Sequence, residues 1–391
     1  MLLALVLLIL TQSSAFSMIP TRTHSHRSIN KDAKSLMKLE AGLFSDSVMM
    51  TANAVTSSPL FANVVGKPLS VYVLGVALIT ALGTWIRQVL WIPSRTYNRE
   101  ENTVGKEYDA WTSEGILEYY WGEHIHLGYY NKEMRDKGYL RKNFIEAKYD
   151  FIDEMIKFGG IDFASKPAKV LDVGCGIGGT SRYLAKAFGD DTKVSGITLS
   201  QAQVDRATTL AKEREINNVD FQVMDALAMK FPDNSFDVVW ACESGEHMPD
   251  KKKYVEEMTR VLKPGGKIVI ATWCQRDENG VPFSKSERKM LDFLYSEWTH
   301  PYFISISDYA KLMEGTGSLE KVITDDWAEE TIPSWRHSIW VGVFDPWPVF
   351  RRPHLWWKTL RDGVTLERMH QAFSDGLMQY GMMTAEKKVV V

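Results

Sequence analysis

The stretch LDVGCGIGGTSRYL, Leu171 to Leu184, places Gly174, Gly176, Gly178 and Gly179 between a β-branched run and a helical pattern. Glycines at such a junction let the chain turn tightly and bring a nucleotide-like ligand against the exposed N–H groups of a helix start. The loop alone does not name that ligand, because the same letters satisfy the GxGxxG dinucleotide fingerprint. The following strand separates the readings. A dinucleotide fold wants an acid at the end of that strand, about twenty residues on, to hold a ribose, and VSGITLS offers Thr198 with no carboxylate.

Around this loop the soluble part, from about Tyr97, alternates short β-branched runs with helical stretches. KVLDV, VSGI, VDFQVM and FDVVWAC read as strands; Gly179 to Phe188, Ser200 to Glu215 and Lys251 to Leu262 read as helices; KIVIATW follows the turn LKPGG. This order predicts an α/β fold with a mostly parallel, doubly wound sheet. No internal repeat is evident.

Composition narrows the function. With 391 residues and 45% hydrophobic content the chain can bury a full core. A net charge of −3, with no basic stripe interleaved with aromatics, argues against nucleic acid as a partner. Cys175, Cys242 and Cys274 form no CxxC and have no histidine at ligand spacing, so they read as reduced thiols, with no metal site.

The ordered set GITLSQAQ, VMDALAMKFPDNSFDVVW and RVLKPGGKIVIATW is more specific than the glycine loop. It resembles the class I S-adenosylmethionine-dependent methyltransferases, whose three motifs cover LDVGCGIGG, SFDVVWACE and VLKPGGKIVI. WGEHIHLGYY, GITLSQAQVDRA, ESGEHMPDK, TWCQR and QYGMMTAEKK together resemble the gamma-tocopherol methyltransferases and their relatives over residues 100–391, more loosely after Trp327. The resemblance implies a Rossmann-like seven-stranded sheet, a helical cap over residues 96–165 and a methyltransferase domain over 166–391, with an aromatic lid inserted at about 327–375 before the last strand. It implies S-adenosyl-L-methionine as cofactor. Gly174, Gly176, Gly178 and the helix start would face its carboxylate, and Asp172 would balance its ammonium or orient the loop. Thr198 and Gln203 would hold the ribose, Asp225 with the backbone around Ala226 would bind the adenine amine, and Cys242 would close the second motif beside them. Thr198 also reads as a strand-end cap and Asp225 as a turn residue.

On the acceptor side, YYWGEHIHLGYY brings His124 and His126 among aromatics, with no third metal ligand at a helpful spacing. In the family it resembles, this segment lies over the cofactor, so the resemblance makes Trp121, His124, His126 and Tyr129 candidates for a substrate pocket. Residues 327–357 hold six of the 13 tryptophans, which suits a large apolar substrate or a membrane face. Methyl transfer to a ring carbon of a phenol needs alignment, a dry site and removal of the O–H proton. In ESGEHMPD, beyond the fourth strand, His247 is expected to accept or orient that proton with help from Glu246, His124 or His126 being the competing base. Asp250 is expected to cap a solvated helix over KKKYVEEM. Three readings result: a C-methyltransferase acting on a tocopherol-like phenol, an N- or sterol C-methyltransferase of the same superfamily, and an NAD-dependent oxidoreductase.

The N-terminal region adds location. MLLALVLLILTQSSAF has the form of a secretory signal, and residues 17–45 have the basic, hydroxyl-rich composition of a transit peptide. Residues 1–60 thus read as the presequence of an alga with secondary plastids. LSVYVLGVALITALGTWI, residues 69–86, is uncharged and flanked by Lys67 and Arg87, so residues 61–95 are expected to hold a membrane anchor and the protein to associate with a plastid membrane.

Overall fold

The computed structural model describes residues 68–389 apart from 163 and 165, with side chains from Gly75 onward. The expected presequence, residues 1–60, lies outside the described residues. The chain divides into two compact units at Pro93 and Ser94.

In the first unit, helix α1 covers Pro68–Val89. Its Thr80 and Thr84 hydroxyls donate to the carbonyls of Val76 and Thr80, each at 2.8 Å. Among the described residues no helix is long and apolar enough to cross a membrane. The expectation of a spanning anchor over residues 69–86 is therefore not supported. The uncharged run over residues 69–86 of this helix would rise about 27 Å at ~1.5 Å per residue, short of a hydrocarbon core of about 30 Å.

The second unit begins with four helices: α2 Thr103–Glu114, α3 Ile116–Trp121, α4 Lys132–Lys137 and α5 Glu146–Phe158. There follow β1 Lys169–Val173, α6 Gly179–Phe188, β2 Lys193–Thr198, α7 Gln201–Glu213, β3 Val219–Val223, β4 Phe236–Cys242, a 3-10 turn Gly245–His247, α8 Lys251–Val261 and β5 Leu262–Gln275. The chain continues through α9 Lys285–Ser296, α10 Ile306–Gly315 and β6 Leu319–Asp326, then α11 Ala328–Phe344, α12 Trp347–Phe350, α13 Trp356–Ser374 and β7 Met378–Lys387.

The seven strands lie in the order β3-β2-β1-β4-β5-β7-β6. β1 pairs parallel with both β2 and β4, so the chain order reverses there and the carboxyl ends of the strands open onto a crevice. The last strand departs from parallel winding: β7 runs antiparallel between β5 and β6. The β-branched runs occupy the centre because helices cover both faces. Val239, Ala241, Ile268 and Ile270 are fully buried against Tyr254 and Met258 of α8. The result is a mixed, Rossmann-like sheet with helices on both sides.

Candidate active site

At the crevice, Thr198 ends β2, and Gly174, Asp225 and Glu243 lie one or two residues beyond β1, β3 and β4; all four line one cavity. Gly174 has φ +86°, and a Cβ there would lie 2.3 Å from the Cβ of Ser244. The loop after β1 can therefore lie against the loop after β4 only without a side chain. Thr198 Oγ1 donates to Gln203 Oε1 at 2.7 Å, which leaves Gln203 Nε2 as a buried donor with no partner. A Cβ on Gly176 would enter the cavity 3.9 Å from that nitrogen. The cradle thus offers a bare backbone and an unmet amide donor to an oxygen-bearing ligand.

A second cavity opens beneath α11–α13 and is walled by Leu117, Ile339, Val343, Val349, Leu360 and Leu366. Four residues line both cavities: Tyr108, Ile125, Glu243 and His247. Anything that passes between the two must pass them.

Two proton-handling groups stand at this junction. His247 Nδ1 lies 3.4 Å from the carbonyl oxygen of Thr299 and Nε2 lies 3.0 Å from the Tyr108 hydroxyl. A carbonyl can only accept, so Nδ1 carries the hydrogen and Nε2 accepts from Tyr108. Burial lowers the imidazole pKa to about 4, and burial with the nearby Glu246 and Glu243 holds the phenol of Tyr108 far above its usual value. Both are neutral at pH 7. Tyr108 is set in place by its neighbour, since Asp109 accepts from Ser200 Oγ at 2.5 Å and from the Ala202 N–H at 3.1 Å at the start of α7.

Glu243 is the other group. It has φ +47°, a strained conformation for a residue with a Cβ. Its Oε1 accepts from the Leu127 N–H at 2.8 Å and from the Tyr380 hydroxyl at 2.7 Å. No described residue partners Oε2. Burial, reinforced by the adjacent Glu246, raises its pKa to about 8. Glu246 rises to about 7, chiefly by burial, with its Oε2 accepting from Thr272 Oγ1 at 2.7 Å.

These carboxyls link folding to pH. Glu243 keeps its proton in the folded state up to about pH 8 but releases it near 4.5 when unfolded, so its stabilising contribution is complete below about 4.5 and is lost as pH rises through 8. Relative to Glu243→Gln, which cannot ionise, the wild-type melting temperature is expected to fall between pH 5 and pH 9, by about 2–4 °C per kcal/mol of linkage. Thermal melts of both proteins across that range check it. A constant gap would refute the assignment.

The residues named from sequence divide between the two cavities and the packing behind them. Gly174, Gly176, Thr198, Gln203, Asp225 and Ala226 line the first cavity, and Trp121, Glu246 and His247 line the second. Gly178 does not face the cavity, because a Cβ there would meet the Phe221 ring at 2.5 Å. Asp172 accepts from Ser181 Oγ at 2.6 Å and orients the loop from beneath. Cys242 is buried outside both cavities. The expected help from Glu246 to His247 is not direct, since that carboxyl turns to Thr272. His124 and His126 are buried outside both cavities: His124 faces Thr180 at 3.4 Å, and His126 Nδ1 donates to the Leu127 carbonyl at 2.8 Å. Tyr129 stacks edge-on against Trp327, 5.3 Å between centroids, away from the cavity.

Tyr108 and His300 are not among the residues expected from sequence, Glu243 is expected only to close the second motif with Cys242, and Lys251 only to open a solvated helix. Lys251 heads KKKYVEEM yet is buried, donating to the carbonyls of Gly245 at 2.6 Å and Glu246 at 3.2 Å. It fixes the turn that carries His247, whereas Lys252 and Lys253 are solvated as expected. Among the described residues no group of three or more His, Cys, Asp or Glu side chains could hold a metal ion.

Comparison with known proteins adds what geometry cannot. A family described as a methyltransferase domain matches residues 170–266. The 2-methyl-6-phytyl-1,4-hydroquinone methyltransferase of Synechocystis sp. is 42% identical over 326 residues, covering 81% of this chain and 98% of that protein. The chloroplastic tocopherol O-methyltransferase of Arabidopsis thaliana is 36% identical over 288 residues, covering 70% and 79%. Among solved structures, a geranyl diphosphate C-methyltransferase from Streptomyces coelicolor in complex with S-adenosyl-L-homocysteine is 19% identical with a TM-score of 0.56, over 76% of this chain and all of that one, a likeness of fold.

Proposed function

The chain belongs to the S-adenosylmethionine-dependent methyltransferases, in the family that holds the hydroquinone and tocopherol methyltransferases, and we propose that it methylates a ring carbon of a prenylated phenol in a plastid. The observation that carries this reading is the meeting of a cofactor cradle and a large apolar cavity at Tyr108, Glu243 and His247. S-adenosylmethionine, when bound, supplies a methyl group activated by positive sulfur. Gln203 Nε2 and Thr198 would hold its ribose hydroxyls, Asp225 its adenine amine, and the backbone at Gly174 and Gly176 its amino-acid end.

Proton chemistry separates the roles at the junction. A phenol with a pKa near 10 gives up its proton most readily to a group poised near the working pH. An imidazole held near 4 is a poor acceptor, whereas a carboxyl raised to about 8 is matched. Glu243 therefore takes the proton. The phenol has one hydrogen and gives it to Glu243, so Tyr108 orients the ring as a donor, its hydroxyl hydrogen turning from His247 Nε2 to the phenol oxygen, which accepts it. The isoprenoid tail lies among the aliphatic side chains of α3, α11 and α13. The basic, hydroxyl-rich residues 17–45 and the chloroplastic names of the rice and Arabidopsis relatives support plastid residence.

Incubation with methyl-13C cofactor and a panel of prenylated hydroquinone, chromanol, sterol and amine tests the reading. The expected product is a phenol bearing an aryl methyl carbon in the NMR spectrum. Label found only as methoxy carbon or on nitrogen would overturn it.

A further inference from the structure

The acceptor cavity contains a polar group that the reaction as drawn does not use. His300 lines it on the side away from the cofactor cradle, and is 3% exposed. Its ring lies 4.8 Å from that of His247 and 5.3 Å from that of Trp273. Its Nδ1 is 3.1 Å from the carbonyl oxygen of Leu294, so Nδ1 must carry the hydrogen and Nε2 presents a lone pair. No described residue meets that nitrogen.

The backbone is distorted to hold the ring there. Trp298 and Thr299, the two residues before it, have φ +54° and +61°. A bulky and a β-branched residue in succession on that side of φ space are true outliers, and they persist only where surrounding bonds fix them. Those bonds are present: Thr299 N–H donates to the Arg95 carbonyl at 2.8 Å, and Trp298 Nε1 to Asp362 at 2.9 Å. Strain maintained around a buried residue whose unpartnered acceptor lines a cavity is where a ligand donor fits.

We propose that His300 Nε2 accepts a hydrogen bond from a second hydroxyl on the acceptor ring, so that the site favours an open 1,4-hydroquinone over a chromanol, whose second oxygen is closed into an ether. The first hydroxyl is taken at the junction by Tyr108 and Glu243. This subsite rests on the function proposed above. An ether oxygen has no hydrogen to give, so a chromanol leaves Nε2 unmet, whereas the hydroquinone satisfies it.

The test compares kcat/KM of wild type, His300→Phe and His300→Gln on a prenylated hydroquinone kept reduced and on the corresponding chromanol. The phenylalanine keeps the ring stack and removes the acceptor, and the glutamine restores one. His300→Phe is expected to lose about 10- to 100-fold on the hydroquinone and little on the chromanol, with the glutamine recovering most of the loss. Equal losses on both substrates in both variants, or no loss, would overturn the subsite while leaving the function intact. A wild type that methylates only the chromanol would do the same. A wild type that methylates neither phenol overturns the functional reading and the subsite with it.

Discussion

Glu243→Gln is expected to lower kcat by about 10²- to 10⁴-fold, the range general-base removal produces, while binding S-adenosylmethionine within about threefold of wild type. Glutamine keeps the shape and can still accept from the Leu127 N–H and the Tyr380 hydroxyl. It cannot take a proton. The pH profile separates this role from a structural one. In the wild type, kcat/KM should rise with pH as the carboxyl ionises, with an apparent midpoint near 8 shared with Glu246. The variant should lose that rise. Tyr108→Phe, by contrast, should cost about 10- to 100-fold with the profile unchanged, and His247→Ala should add little to it because the two act as one unit. Should Glu243→Gln retain the wild-type pH profile and His247→Ala abolish it, the base would be His247.

Gly174→Ala should weaken cofactor binding by at least about 100-fold. A left-handed conformation costs a residue with a Cβ about 1–2 kcal/mol, and the smaller part of the damage is local. The added carbon would lie 2.3 Å from the Ser244 Cβ, and Ser244 is held by bonds to the Val173 carbonyl at 2.7 Å and the Tyr254 hydroxyl at 2.9 Å. Either the glycine loop lifts from its place or the start of the next loop, beginning at Glu243, moves. Both widen the cradle. Calorimetric titration with S-adenosylmethionine on protein whose melting curve remains cooperative measures the effect. Binding within threefold of wild type would show that the loop yields without harm to the site.

The parallel half of the fold was legible because it is written in local signals. Strand letters, a glycine turn and a helix pattern recur in order from Lys169 to Val261, and the residues expected to hold the cofactor lie at or just beyond strand ends, where sequence position and spatial position coincide. The acceptor half was not, for an equally physical reason. Tyr108 reaches its place because Asp109 two turns into a polar helix bonds to the start of α7, some ninety residues later in the chain. His300 depends on a backbone conformation that no residue type there announces. His124 and His126 lie outside both cavities, and as letters they cannot show it, because a buried histidine with a carbonyl or hydroxyl beside it looks the same as one in a site. Lys251 is the reverse case, since a run of three lysines reads as solvated even when the first turns inward. The antiparallel placement of β7 carries no local mark either: the strand is long and half apolar, and only its partners fix its direction.

The segment between β6 and β7 has a wider meaning. It supplies a large share of the wall of the acceptor cavity through α11, α12 and α13, yet contributes no residue to the cofactor cradle. Both its ends are fastened to neighbouring strands at one edge of the sheet. A substitution confined to this insert therefore reshapes the second cavity while leaving the lining of the first unchanged, so the two walls can be varied independently.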